Sequence, residues 1–210
     1  MDDRLHILLG QLDAVWNMLE GRLTGRRMVD GDYEGEPGYL ETTLTDEEYF
    51  WEPVPDCWSL RRRGESRSPN PRGTGEWLLD GGHPDSNPPP FTTIAWRLCH
   101  ICVSPLMRFE YTFGSHELTM ERMVWPSSAK EAFHFLTETH QRWRETLEGV
   151  SADELDQVGR SQNPYGSDPE DRFVDLIAWV NTEFTHHAAE IACLRDLYHW
   201  THIEGSSMAS

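Results

Sequence analysis

Between Phe173 and Tyr198, apolar residues recur at intervals of three and four: Phe173, Leu176, Ile177, Val180, Phe184, Ile191, Leu194 and Tyr198, with His187 on the same face. That is the repeat of a single helix face. The segment from Pro169 to Trp200 is therefore predicted to form one long helix, the fourth of the chain, and its apolar stripe demands partners. Three earlier segments can supply them. Residues 4–23 place Leu5, Leu8, Leu9, Leu12, Val15, Trp16, Leu19 and Leu23 on one face. A second helix is expected from a Thr92 or Thr93 cap through Ile94, Leu98, Ile101, Leu106, Phe109 and Phe113, kinked at Pro105 and stopped at Gly114. Pro126-Ser127-Ser128, with Glu131 following, opens a third, whose face Ala132, Phe135, Leu136, Thr139, Trp143 and Leu147 ends near Gly149.

The connections are as informative as the helices. Gly25 and the acidic, Gly-containing run Asp30 to Gly38 end the first helix. Thr45 followed by Glu48 offers the capping pattern of a short helix, with Pro53 as the next stop. From Arg61 to Pro90 the chain is rich in Gly, Pro, Ser and charge and closes on Pro88-Pro89-Pro90, which predicts an ordered but irregular crossover. A polar linker containing Asn163, Pro164 and Gly166 precedes the fourth helix. No period-two run flanked by hairpin turns stands out, so no sheet is expected. The predicted fold is all-α, a four-helix bundle with a long first crossover. A single domain is expected over 1–203, with a flexible small-residue tail over 204–210.

Charge narrows the partners. The 210 residues carry a formal net charge of −18, from 36 acidic against 18 basic side chains. Such a surface repels a phosphate backbone, so nucleic acid is not an expected partner. The basic run Arg61 to Arg63 is isolated and reads as a solvated loop. No apolar stretch approaches the roughly 20 residues that span a bilayer, and the N-terminus lacks the form of a secretory signal, so a cytoplasmic location is expected. Cys57, Cys99, Cys102 and Cys193 are then expected to be reduced.

Chemistry concentrates on two of the predicted helices. Glu183 and His187 are four residues apart, so their side chains leave the fourth helix from one face and can converge on one ion. A facing helix must complete such a site, and the sole histidine of the second helix is His100. Three ligands would leave open coordination positions. Imidazole with carboxylate suits zinc, nickel or ferrous iron, with zinc the default. The competing reading makes His100 a hydrogen-bonded core residue and Glu183 a mere partner of His186 or His187. His186 is the rival ligand, although adjacent residues point about 100 degrees apart. Cys99-x-x-Cys102 reads as packing thiols, Cys102 being the better placed to approach the site.

These residues also carry a resemblance. Trp51-Glu52-Pro53, Trp58-Ser59-Leu60, His100 and the run from Thr182 to Ile191 leading to Leu194-Arg195-Asp196-Leu197-Tyr198 resemble the DinB-like superfamily, especially its actinobacterial branch. The likeness is concentrated in the fourth helix, and the stretch from Arg61 to Pro90 is not matched. Many members use three histidines, but Thr182 stands where the first of a His-x-x-x-His pair ending at His186 would be. The mycothiol-dependent maleylpyruvate isomerases of the same superfamily use His, Glu and His, and His100, Glu183 and His187 fit that pattern. The resemblance implies helices running up, down, down, up and a low-molecular-weight thiol, mycothiol-like, activated at the metal. It further implies an electrophilic small-molecule substrate in a pocket for which Trp51, Trp58 and Trp96 are candidate walls. A metal-dependent thiol transferase or isomerase is the leading expectation, and a homodimer is compatible with it. A non-enzymatic metal-binding or stress-related helical protein, or a specialised biosynthetic enzyme whose pocket is shaped by the Arg61 to Pro90 insertion, are the alternatives.

Overall fold

The computed structural model describes residues 2–25, 42–81, 87–165 and 169–207. The Asp30 to Gly38 run, Gly166 and the last three residues of the expected tail lie outside them. The protein is mostly helical. Among the described residues, helix α1 covers Asp3–Thr24, α2 Asp46–Tyr49, α3 Ile94–Phe113, α4 Ala129–Glu148, α5 Ala152–Leu155 and α6 Phe173–Ser207, with a 3₁₀ turn at Met120–Arg122.

Local chemistry sets the helix starts. Side chains of Asp2, Thr45, Thr93, Ser128 and Ser151 each accept a backbone N–H of the first turn, which satisfies donors that have no intrahelical partner. Thr93, rather than Thr92, caps α3 through Trp96 N. Gly25 ends α1 in the left-handed region at φ 70°, where a side chain would be strained. Pro105 is accommodated inside α3. Helix α6 starts at Phe173, later than the expected Pro169, and its backbone continues to Ser207. The capping box that starts α5, Ser151 with Glu154, lies in what the sequence presents as a polar linker.

Four long helices pack as a ring, α1 on α6, α6 on α3, α3 on α4 and α4 on α1. Along α1 and α6 the contacts advance together: the Asn181 amide donates to Leu8 O at 2.8 Å, and Arg22 donates to Ala192 O at 2.9 Å. Along α1 and α4 they run in opposite order, Asp13 meeting Arg144 while Trp16 stacks on His140. Helix α3 also runs against α6, since His100 meets His187 and Phe113 meets Phe173. Leu5, Leu19, Leu98, Leu136, Trp143, Phe173 and Ile177 are fully or almost fully buried between these helices. No helix among the described residues is long and apolar enough to cross a membrane.

The long crossover departs from the sequence expectation. Strands β1, Leu60–Arg62, and β2, Trp77–Leu79, pair antiparallel within it, Leu60 opposite Leu79 and Arg62 opposite Trp77. Three residues are too few for an alternation to stand out in a sequence, which is why the sheet was not legible. Its centre is polar. The Asp80 carboxylate is completely buried and accepts from Ser59 N at 3.0 Å, Arg61 Nε at 2.9 Å and Ser66 Oγ at 2.6 Å. Arg61, read from sequence as part of a solvated basic run, is held by Asp80, Glu52 and the Cys57 carbonyl. A guanidinium placed among fixed acceptors is an internal tie, not a free surface charge.

A second buried pair joins α2 to α6. The fully buried Arg195 donates from Nε to Glu48 Oε1 at 2.6 Å and from Nη2 to Glu48 Oε2 at 3.0 Å. It also bonds Arg22 O and Thr42 O. All four cysteines are free, three of them buried and Cys193 exposed.

Two outcomes follow. Arg195→Met leaves the Glu48 carboxylate buried without its cation and should lower stability by about 3–5 kcal/mol in urea denaturation. His140, stacked on Trp16 with neither ring nitrogen hydrogen-bonded among the described residues, is pushed by burial from 6.5 down to about 4. Between those values the unfolded chain takes up a proton that the folded one refuses, so stability falls as the pH drops through that window. His140→Phe should remove a loss on the order of 3 kcal/mol, seen by comparing denaturation midpoints at neutral and acidic pH.

Candidate metal centre

Helices α3 and α6 bring His100, Glu183 and His187 together. One ligand atom from each lies within 4.8 Å of the others. His187 is buried, and its Nε2 stands 3.5 Å from Glu183 Oε2. The His100 and His187 rings meet edge to face, centroids 4.7 Å apart and planes perpendicular. The four-residue spacing on α6 sets the Glu183–His187 pair, and the antiparallel α3 delivers the third donor.

The donor set fits a cation. His187 Nδ1 lies 2.6 Å from Glu190 Oε2, so in the neutral ring this nitrogen carries the hydrogen and donates it in a hydrogen bond to the carboxylate, which leaves the lone pair on Nε2, on the Glu183 side. A carboxylate oxygen and an imine-type nitrogen then face each other without a hydrogen between them. His100 stands beside them as a neutral imidazole, because burial, together with the nearby His187 and Arg97, pushes it down to about 3. Three acceptors converging in a half-buried space are relieved by a proton on Nε2 or by a metal ion, and two nitrogens with one carboxylate are ligands of the second kind. A histidine ligand whose other nitrogen is held by a carboxylate is the usual arrangement in metal sites.

His186 forms a second cluster with His187 and Glu190. It is exposed, stacks on His187 with centroids 5.0 Å apart, and places Nε2 3.3 Å from Glu190 Oε1. The Arg97 guanidinium occupies this cluster, bonded to Glu190 and 3.3 Å from His187 Nδ1. A fixed positive charge at that point disfavours a second cation. The two clusters thus differ in chemistry although they share His187.

Aromatic surroundings are uneven. Trp96 stacks on His100, centroids 4.5 Å apart and planes within 15°, and Trp58 lies 6.4 Å beyond Trp96. Trp51 stands elsewhere, its edge against Tyr198 and His202 far along α6. Cys99 is buried near the Tyr49 hydroxyl, and Cys102 donates to Leu98 O at 3.3 Å. Among the described residues neither thiol belongs to a donor cluster, and burial pushes both upward, away from the thiolate. Cys102, expected nearer to the site, instead faces the packed interior. Sequence reasoning missed Glu190 and Arg97. Their signals were present, three residues after His187 and three before His100, on faces that a helix makes adjacent.

A model of the DinB superfamily matches residues 11–191, a span containing all three converging residues. The chain belongs to the DinB superfamily. Comparison with curated proteins and with solved structures gives no match.

In the metal-free protein, His100 should remain neutral down to about pH 4, one unit above its lowered pKa of about 3. Following its ring-proton chemical shift through a pH titration checks this.

Proposed function

We propose that this chain is a metal-dependent transferase or isomerase that uses a low-molecular-weight thiol, mycothiol-like, at a centre ligated by His100, Glu183 and His187. The scaffold is inferred to be a four-helix bundle running up, down, down, up, in keeping with the parallel contacts of α1 with α6 and the opposed contacts of each with its other neighbour. The observation that carries the functional reading is the convergence of the three donors together with the Glu190 bond to His187 Nδ1. Glu190 fixes which nitrogen faces the site, and the fold supplies the rest.

A bound divalent ion, zinc by default with nickel or ferrous iron also suited, would supply Lewis acidity that favours a thiolate near neutral pH. The protein's own residues have separable tasks. Glu183 brings the one negative charge among the three ligands. His100 is a neutral donor because it is buried, and His187 presents Nε2 because its Nδ1–H donates to Glu190. Arg97 neutralises Glu190 and keeps positive charge on the far side of His187. Trp96 and Trp58 offer an apolar wall against which an electrophilic substrate can lie. With only three protein ligands, coordination positions remain for the thiol.

Metal analysis of protein purified without added metal tests the reading. The wild type should carry about one divalent ion per chain, and His187→Ala and Glu183→Gln should lose most of it. Equal metal content in the three proteins would overturn the assignment. A panel of thiols and electrophiles then tests activity, with turnover expected to vanish on chelation and return on reloading.

A further inference from the structure

Trp96 links His100 to the crossover hairpin. Its ring stacks on the imidazole, and its indole Nε1–H donates to Asp80 O at 2.9 Å. Asp80 cannot move freely. Its amide donates to Ser59 O at 3.0 Å, while its carboxylate is gripped by Ser59 N, Arg61 Nε and Ser66 Oγ in full burial. Ser59 in turn bonds Thr93, the residue that caps α3, through their hydroxyls at 2.9 Å. Two routes thus run from the hairpin to α3, one to the start of the helix and one to the ring that lies on His100.

We propose that Trp96 and Asp80 are positioning residues for His100, so that the hairpin of the long crossover belongs to the working site instead of being a decorative insertion. This inference rests on the metal-centre reading above, but it concerns the geometry of one ring and has a readout of its own. The physical need is plain. His187 is oriented by Glu190, and Glu183 shares its helix face, whereas His100, apart from the edge it meets on His187, is oriented by an aromatic stack. A stack alone permits sliding and rotation in the plane. Anchoring the indole through Nε1 to a main-chain oxygen that is itself fixed removes that freedom. Outer-shell partners of this kind typically change metal affinity 10- to 100-fold when removed.

Two variants separate positioning from mere folding. Trp96→Phe keeps an aromatic face against His100 and deletes the Nε1 anchor. Asp80→Ala keeps Trp96 and dissolves the knot that holds its acceptor. In folded protein, verified by circular dichroism, each is expected to bind zinc about 10- to 100-fold more weakly than wild type in a chelator competition. The cobalt-substituted visible spectrum should also change shape at saturating cobalt. Loss of stability alone would lower the unfolding midpoint without altering that spectrum. Unchanged affinity and spectrum in a metal-binding Trp96→Phe protein overturn the proposal and leave the metal centre standing. If Asp80→Ala does not fold, Trp96→Phe decides. If the wild type binds no metal, the functional reading fails, and the His100 ring resonances decide the present one. Signals that are sharp in wild type and shifted and broadened in Trp96→Phe support it, and signals unmoved by that substitution overturn it.

Discussion

The buried Arg195–Glu48 pair holds together elements that share little else. A guanidinium and a carboxylate removed from water lose several kcal/mol of hydration each, and their arrangement is stable only when both are fully bonded. Here Arg195 also caps carbonyls of Arg22 and Thr42, so one side chain of α6 fixes the end of α1, the chain returning toward α2, and α2 itself. The short α2 passes this constraint on. Asp46 accepts Ala129 N at the start of α4, and Tyr49 packs against Cys99 of α3. A four-residue helix, too short to be stable alone, thereby sets the spacing of three long ones.

That spacing matters because the candidate centre is divided between α3 and α6. Glu183 and His187 come from one helix and need no tertiary structure to be neighbours. His100 comes from another, and its distance from them depends on how α3 is seated. Besides the Arg97–Glu190 pair that ties it directly to α6, three contacts seat it near the site: the α2 contact at Cys99, the Thr93 cap bonded to Ser59, and the Trp96 anchor on Asp80. Two of these belong to the crossover. A stretch that the sequence presents as Gly- and Pro-rich irregular chain therefore shares in defining the geometry of α3.

Charge is placed with the same economy. A chain with a formal charge of −18 nonetheless keeps His100 neutral, chiefly by burying it and, to a smaller extent, by setting it near His187 and Arg97. Glu190 lies between Arg97 and His187, bonded to both. The positive guanidinium at Nδ1 and the Nε2 edge that faces Glu183 are thus on opposite sides of one ring, which distinguishes the cluster with His100 from the cluster with His186. Ligand chemistry alone would not have separated them, since both contain imidazole and carboxylate.

Much of this was legible in the residues. Period and capping signals located the four long helices, with their starts to within a few positions, because helix faces and caps are local properties of a sequence, while the last helix runs seven residues past the expected Trp200. The Glu183 and His187 pair was equally local. Membership of the DinB superfamily accords with the motifs that suggested it, although the thiol chemistry those motifs imply is a separate matter. The strands β1 and β2 were invisible, being three residues each, and Arg61 passed for solvated because nothing in sequence announces that Asp80, nineteen residues away, will be its partner. Only the tertiary structure decided that His100 meets His187 edge to face, that Arg97 sits in the second cluster, and that Trp51 lies elsewhere while Trp96 lies on His100. Sequence determined which side chains share a face; packing between helices, which brings together groups remote in the chain, determined which faces meet.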